Sequence, residues 1–316
     1  MEQISILGSG TMGHSIALSV AWAGQAVKVY GINEQDLAIA AKGLNNKLKV
    51  MVANELFDEA QAKRINGNIV FSTSLEEVVA DSTFIIEVIP EVLELKKDMY
   101  QRLENLVDAE TVIASNTSGF MPSILSADMN YPDRFVVTHF WNPGHLIPLV
   151  EVVKGNKTDE ATVERAMSVI EGMNKKPILL QKELPGFIGN RLQYALFREA
   201  QALLDSGAAT KEDIDAAVTY SIGRRLPVTG PLMTADMGGL DVFSAISNYL
   251  FEDLATDQCS GETLTKLVEE NKFGDKSGKG FYEWGTGTSE KINEEREQTL
   301  IHFLKNDLKG NGGTQS

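Results

Sequence analysis

Six residues near the N-terminus, Gly8-Ser9-Gly10-Thr11-Met12-Gly13, constrain this chain most, because they stand between a β-branched run, Ile4–Leu7, and a helix-like segment from Thr11. In such a turn Gly8 allows the tight reversal, Gly10 clears a phosphate and Gly13 lets the helix pack on the strand. A second strand-like run at Val27–Tyr30 and a second helix from about Glu34 complete a βαβ unit. In that setting the glycine pattern points to a dinucleotide, with Gly8, Gly10, Thr11, Met12 and Gly13 as its candidate contacts.

The alternation continues through strand-like Ile69–Ser72, Thr83–Glu87, Thr111–Ser115, Phe135–His139, Leu149–Val153 and Pro177–Leu180. A mainly parallel sheet covered by helices is expected over residues 1–184. After Pro185-Gly186 only helical periodicity is left, with Gly207 closing one helix and Thr210-Lys211-Glu212-Asp213 patterned like the capping box of the next. Residues 185–289 are therefore expected to form a smaller all-helical domain. A charged helix is expected from about Glu290 to Leu308 within a terminal segment, 290–316, whose end from Gly310 reads as frayed.

A formal net charge of −15 disfavours nucleic acid and acidic membrane surfaces as partners. The single cysteine, Cys259, excludes an internal disulfide and a thiolate metal cluster. No metal is expected, since no histidine has a metal-ligand pattern around it. The start carries no basic stretch or cleavage site, and Ser15 to Ala23 is too short to span a bilayer. A cytoplasmic protein is expected.

The acidic residue that usually holds the adenosine ribose of NAD should fall near Tyr30 or Gly31, and it is absent. Gly31 leaves room for a 2′-phosphate, yet no arginine follows to neutralise one. NAD is favoured, with Asn33 or Glu34 as substitute ribose partners.

His139 ends a strand-like run and precedes the turn-forming Phe140-Trp141-Asn142-Pro143, at the sheet edge where ligands bind. Twelve residues later Glu151 interrupts the apolar run Leu149–Val153. It either faces solvent from an edge strand or, buried, needs a partner that an imidazole could supply. His14, His145 and His302 read as ordinary structural or surface histidines.

These residues resemble a family. His139-Phe140-Trp141-Asn142-Pro143 followed by Leu149-Val150-Glu151-Val152-Val153 is similar to the His–Glu signature of the 3-hydroxyacyl-CoA dehydrogenases. Further motifs of that family follow its order: Glu87 with Glu91 and Lys96, Ala114-Ser115-Asn116-Thr117-Ser118, Pro185 to Arg191, Gly230-Pro231, Gly239-Leu240-Asp241 and Lys276 to Tyr282. The resemblance spans roughly residues 3–284. It implies a Rossmann-type first domain, a helical second domain that dimerises, and NAD as cofactor. It also implies His139 as general base with Glu151 as its orienter, Ser118 and Asn190 at the reacting oxygen, and Glu91, Lys96 and Asn116 on the cofactor side.

Two departures bear on the substrate. Lys42, Lys47 and Lys49 after the second strand are diluted by Asn45, Asn46, Glu55, Asp58 and Glu59, which weakens a CoA phosphate site. Arg224-Arg225 before Gly230-Pro231 resembles relatives acting on gulonate, carnitine or pyridoxine-breakdown products, and such a pair could grip a free carboxylate or merely meet acidic surface groups. A short-chain 3-hydroxyacyl-CoA is the expected substrate, with a free 3-hydroxy acid or carboxylated cyclic alcohol as the alternative. A non-catalytic, crystallin-like role is opposed by the His139–Glu151 pair, and a lysine-dependent decarboxylating dehydrogenase by the His-x-x-Asn-Pro pattern.

Overall fold

The computed structural model describes residues 2–311. Eight strands, β1 (Ile4–Leu7), β2 (Val27–Tyr30), β3 (Ile69–Ser72), β4 (Phe84–Glu87), β5 (Val112–Ser115), β6 (Phe135–Phe140), β7 (Leu149–Lys154) and β8 (Lys176–Leu180), form one sheet in the order β3-β2-β1-β4-β5-β6-β7-β8. Every pairing is parallel except β6 with β7. The strand runs of the sequence fall on these elements to within a residue at either end. β1, β4, β5 and β6 are buried along their whole length, as strands of a sheet covered on both faces must be.

Helices α1 (Thr11–Trp22), α2 (Glu34–Ala53), α3 (Glu59–Gly67), α4 (Leu75–Val79), α5 (Leu93–Glu104), α6 (Pro122–Leu125) and α7 (Glu160–Gly172) connect the strands. Their starts follow local chemistry: Asn33 caps α2 by accepting from the Asp36 N–H at 2.8 Å, and Asp58 with Gln61 forms a reciprocal capping box on α3. The chain lays down β1, β2 and β3 outward and then returns to place β4 on the other side of β1. That reversal opens a crevice beyond the C-terminal ends of β1 and β4, where a doubly wound sheet binds its ligand.

The chain divides into two compact units. The first comprises the residues up to Gly189 together with those from Glu295, and the second is Asn190–Glu294. The second unit contains α8 (Gly189–Asp205), which begins at the boundary, α9 (Lys211–Ala217), a π-helical turn at Val218–Ile222, α10 (Gly223–Arg225), α11 (Pro231–Gly238), α12 (Leu240–Leu250) and α13 (Glu262–Glu269). The expected cap is present, since Thr210 accepts from the Asp213 N–H at 3.2 Å. Its return bond differs: Asp213 takes the Thr210 hydroxyl at 2.7 Å instead of reaching the backbone. The unit is helical apart from isolated bridges of Lys279 with Gly274 and Glu283.

α14 (Thr288–Asn311) is longer than the expected helix and includes Gly310. Residues 312–316 of the tail read as frayed lie outside the described residues. Ile301 and Leu304 of α14 are buried with Leu146, against Trp22, Val50 and Leu56 of the first unit.

Candidate active site

At the glycine turn the backbone conformation and the space agree with the residue types. Gly8 has φ +114° and donates its N–H to the Tyr30 carbonyl at 2.9 Å. A Cβ on Gly13 would lie 1.8 Å from the Gly8 carbonyl oxygen, so only glycine permits this helix–strand contact. A Cβ on Gly10 would meet nothing within 4 Å, so open space adjoins the start of α1. No side chain caps that start, which leaves its first N–H groups, including those of Thr11, Met12 and Gly13, available to an anion. The turn therefore fits the diphosphate of NAD.

At the end of β2, Gly31 is closely packed: a Cβ there would meet Leu37 Cδ2 of α2 at 2.4 Å and Ser9 Oγ of the glycine turn at 2.9 Å. Asn33 already uses its side-chain oxygen as the α2 cap.

Beyond β4 a buried carboxylate organises the neighbouring loops. Glu87 accepts from Lys96 Nζ at 2.7 Å, Tyr100 Oη at 2.5 Å, Ser115 Oγ at 2.7 Å and the Ile89 N–H at 2.8 Å. Lys96 also lies 3.3 Å from Glu91, which accepts from the Thr117 hydroxyl and from the Ser118 N–H at 3.1 Å. Lys96 is only 1 % exposed and bridges Glu87 and Glu91. Asn116 likewise is pinned between strands, its Oδ1 accepting from the Phe140 N–H at 2.8 Å.

The antiparallel pairing of β6 and β7 places His139 directly opposite Glu151. Residues opposed in this way have Cβ atoms about 4.5–5.5 Å apart, and the side chains close the gap with His139 Nδ1 2.8 Å from Glu151 Oε2. Glu151 is wholly buried, which removes the solvent-facing alternative. Trp141 Nε1 donates to the same oxygen at 3.3 Å, while the N–H groups of Ile188 and Gly189 donate to Oε1 at 2.8 and 3.0 Å. Burial alone would raise the Glu151 carboxyl, but the His139 hydrogen bond, the two backbone donors and the His139 charge outweigh it and hold the group below its ordinary value. An ionised carboxylate only accepts, so Nδ1 carries the proton and Nε2 is left as the ring's basic atom.

The two backbone donors come from a turn in which Gly186 and Phe187 both have positive φ, +74° and +52°. A buried phenylalanine in that region is uncommon and must be held by its surroundings. Its ring centroid is 5.5 Å from that of His139, and the Trp141 centroid is 5.4 Å from the same ring. Gly189 is needed here because a Cβ would lie 2.2 Å from the Trp141 indole.

Ser118 follows β5 at the same C-terminal edge of the sheet, whereas Asn190, Arg224 and Arg225 belong to the second unit. Both arginines are exposed, and the Arg224 guanidinium lies 4.9 Å above the Tyr220 ring. Sequence reasoning missed the Trp141, Ile188 and Gly189 donors, although the Pro185-Gly186 turn signal marked where the backbone donors arise. The link between Lys47, considered only for a CoA phosphate, and His14, read as an ordinary histidine, also has no signal in the sequence. Lys47 Nζ is 3.1 Å from His14 Nε2, and His14 Nδ1 is 3.2 Å from the Ser9 carbonyl within the glycine turn. Among the described residues no cluster of three or more His, Cys, Asp or Glu is placed to hold a metal, and no helix is long and apolar enough to cross a membrane.

Comparison with known proteins adds to this geometry. Residues 3–184 match the family described as 3-hydroxyacyl-CoA dehydrogenase, NAD binding domain, and residues 186–284 match the C-terminal domain of the same family. The chain is 32 % identical over 301 residues to 5-formyl-3-hydroxy-2-methylpyridine 4-carboxylate 5-dehydrogenase of Mesorhizobium japonicum, covering 95 % of this chain and 96 % of that one. A solved structure of a 5-dehydrogenase of that description, an NAD+-dependent dismutase, superposes with a TM-score of 0.90 at 31 % identity over 97 % of this chain and 98 % of the other. The (S)-3-hydroxybutyryl-CoA dehydrogenase of Ralstonia eutropha superposes with a TM-score of 0.76 at 28 % identity, over 90 % of this chain and all of that one.

Proposed function

The chain belongs to the 3-hydroxyacyl-CoA dehydrogenase family of NAD-dependent oxidoreductases, and from that premise we propose that His139 Nε2 is the base that takes the proton from a substrate hydroxyl. The observation that carries this is the buried Glu151 carboxylate 2.8 Å from His139 Nδ1. Glu151 fixes the tautomer that presents Nε2, and it stabilises the imidazolium that forms when Nε2 is protonated. In the reverse direction the same imidazolium returns its proton to the carbonyl oxygen. NAD, when bound, supplies the hydride acceptor. Gly8, Gly10 and Gly13 shape its diphosphate seat, Asn33 or Glu34 meets its ribose, and Glu91, steadied by Lys96, places the Thr117–Ser118 loop at the reacting end.

The substrate we favour is a small hydroxy compound with a free carboxylate. This reading is supported by similarity along the whole chain to a pyridine-carboxylate dehydrogenase, and by the engagement of Lys47 with His14. A short-chain 3-hydroxyacyl-CoA is the second reading, supported by the family description and by the similarity to a 3-hydroxybutyryl-CoA dehydrogenase. Arg224 and Arg225 are the candidate carboxylate grips. If one of them serves, replacing it with alanine removes a charge-assisted bond worth roughly 1.5–3 kcal/mol, a ten- to hundredfold loss in kcat/KM for a free acid and little change for a CoA ester. The deciding assay measures NAD-dependent rates on 3-hydroxybutyryl-CoA, free 3-hydroxy acids and ring carboxylates. A kcat/KM for the CoA ester above that of every free acid would reverse the order of the two readings. We further assign the helical second domain, 185–289, to substrate contact and homodimer formation.

A further inference from the structure

Away from the catalytic pair, the first unit encloses a small cavity lined by Ser19 and Trp22 of α1, His145 of the β6–β7 connection, Met173, Asn174 and Lys175 before β8, and Leu304 and Leu308 of α14. Its size suits one water molecule or one ion of similar radius. The polar groups around it are unusual for so closed a place. His145 is 2 % exposed, and neither ring nitrogen has a hydrogen-bond partner among the described residues. Lys175 is 9 % exposed, and its ammonium donates to the Ile147 carbonyl at 3.0 Å with no carboxylate bonded to it among the described residues. Ser19 Oγ makes only two long contacts, 3.4 Å to the carbonyls of Ser15 and Gly144.

The groups that act on His145 are all basic, Lys47 of α2, Lys175 and His14 of α1, while Glu297 of α14 acts on Lys47. An ammonium buried without a counter-charge is costly, and unsatisfied ring nitrogens in the same cavity add to that cost. A bound anion offsets the ammonium and accepts from the His145 ring nitrogen that carries the proton.

We propose that this cavity is a binding site for one monovalent anion of halide size, held by the Lys175 ammonium, a His145 ring N–H and the Ser19 hydroxyl. Burial pushes the Lys175 ammonium down to about 7, and a neighbouring anion favours its charged form, so anion and proton are taken up together near neutral pH. The site joins α1, the connection that follows His139, the entry to β8 and α14, so its occupancy stiffens the frame behind the catalytic hairpin without touching the reacting atoms.

The test uses the full chain. Thermal unfolding is followed at pH 6.5 and constant ionic strength while sodium gluconate, whose anion is too large to enter, is replaced by sodium bromide. The expected result is a saturable rise in Tm of at least about 2 °C, as for any ligand that binds only the folded state. Lys175→Met should abolish the rise. A rise that persists in that variant, or equal behaviour in gluconate and bromide, overturns the proposal. Should Lys175→Met fail to fold, anomalous diffraction from wild-type crystals in bromide decides: a peak between Lys175 and His145 supports the site, and a water there at saturating bromide overturns it.

Discussion

In the first unit β1, β4, β5 and β6 bury every residue, and two large apolar clusters fill the space on either side of the sheet. In the second, α11 and α12 bury no residue, and Ile214, still 9 % exposed, is the only buried hydrophobic side chain among its described residues. Leu232 and Val228 stand 83 % exposed, with Tyr194, Met237, Leu240, Tyr249 and Phe251 also open. Exposed apolar surface on this scale marks a face meant to be covered. One unit is thus completed by its own residues and the other is not. We propose that a second copy of the chain supplies the missing cover, a symmetric dimer being the commonest soluble assembly.

Substitutions can break that contrast or sharpen it. The largest effect is expected from Phe84→Ala in β4, a wholly buried ring whose loss should cost about 3–5 kcal/mol of stability at any protein concentration. A loss that shrinks as protein is concentrated would mean that the first unit also leans on assembly. Next, His139→Gln should lower kcat at least about a hundredfold, within the ~10²–10⁴ span of general-base catalysis, while Tm and NAD affinity stay near wild type. Turnover that survives the change removes His139 from the role of base. Leu232→Asp should act more weakly on the fold than on assembly, weakening dimerisation by roughly tenfold or more. A wild-type protein that is monomeric by light scattering at micromolar concentration would end the dimer proposal.

The smallest effect concerns acid stability. Glu151 is held below its ordinary value in the folded chain, so its contribution is complete above about 4.5 and is lost as pH falls through the lower folded value. Glu151→Gln has no such ionisation, and its Tm should fall less steeply than wild type in that acidic window. Parallel slopes would show that the carboxylate is not held ionised by its four donors.

Much of this is legible in the sequence. Short β-branched runs located all eight strands, because a strand buried on both faces must be apolar throughout, and Glu151 announced itself by violating that rule. The glycine spacing located the phosphate turn for a similar local reason. Features that depend on contacts between distant residues were not legible. The packing of Ser9 against Gly31 is one of these, since it joins the glycine turn to the end of β2. His14 and His145 read as ordinary because Lys47 and Lys175 lie some thirty residues away, and no periodicity links them. The burial of Lys96 between Glu87 and Glu91 has no signal in the sequence either, since spacing gives a direction along a helix and not a depth.

The direct opposition of His139 and Glu151 also makes the site a reporter of chain alignment. A slip of β7 by one residue would turn Glu151 to the other face of the sheet. A slip by two would keep the face but bring Leu149 or Val153 opposite His139, and neither has an acceptor. One alignment of this hairpin yields an oriented imidazole, and its neighbours yield none. Changes in the length of 141–148 should therefore leave activity intact when the loop absorbs them and abolish it when the ladder does, so turnover can be used to count molecules whose hairpin has closed in its native frame.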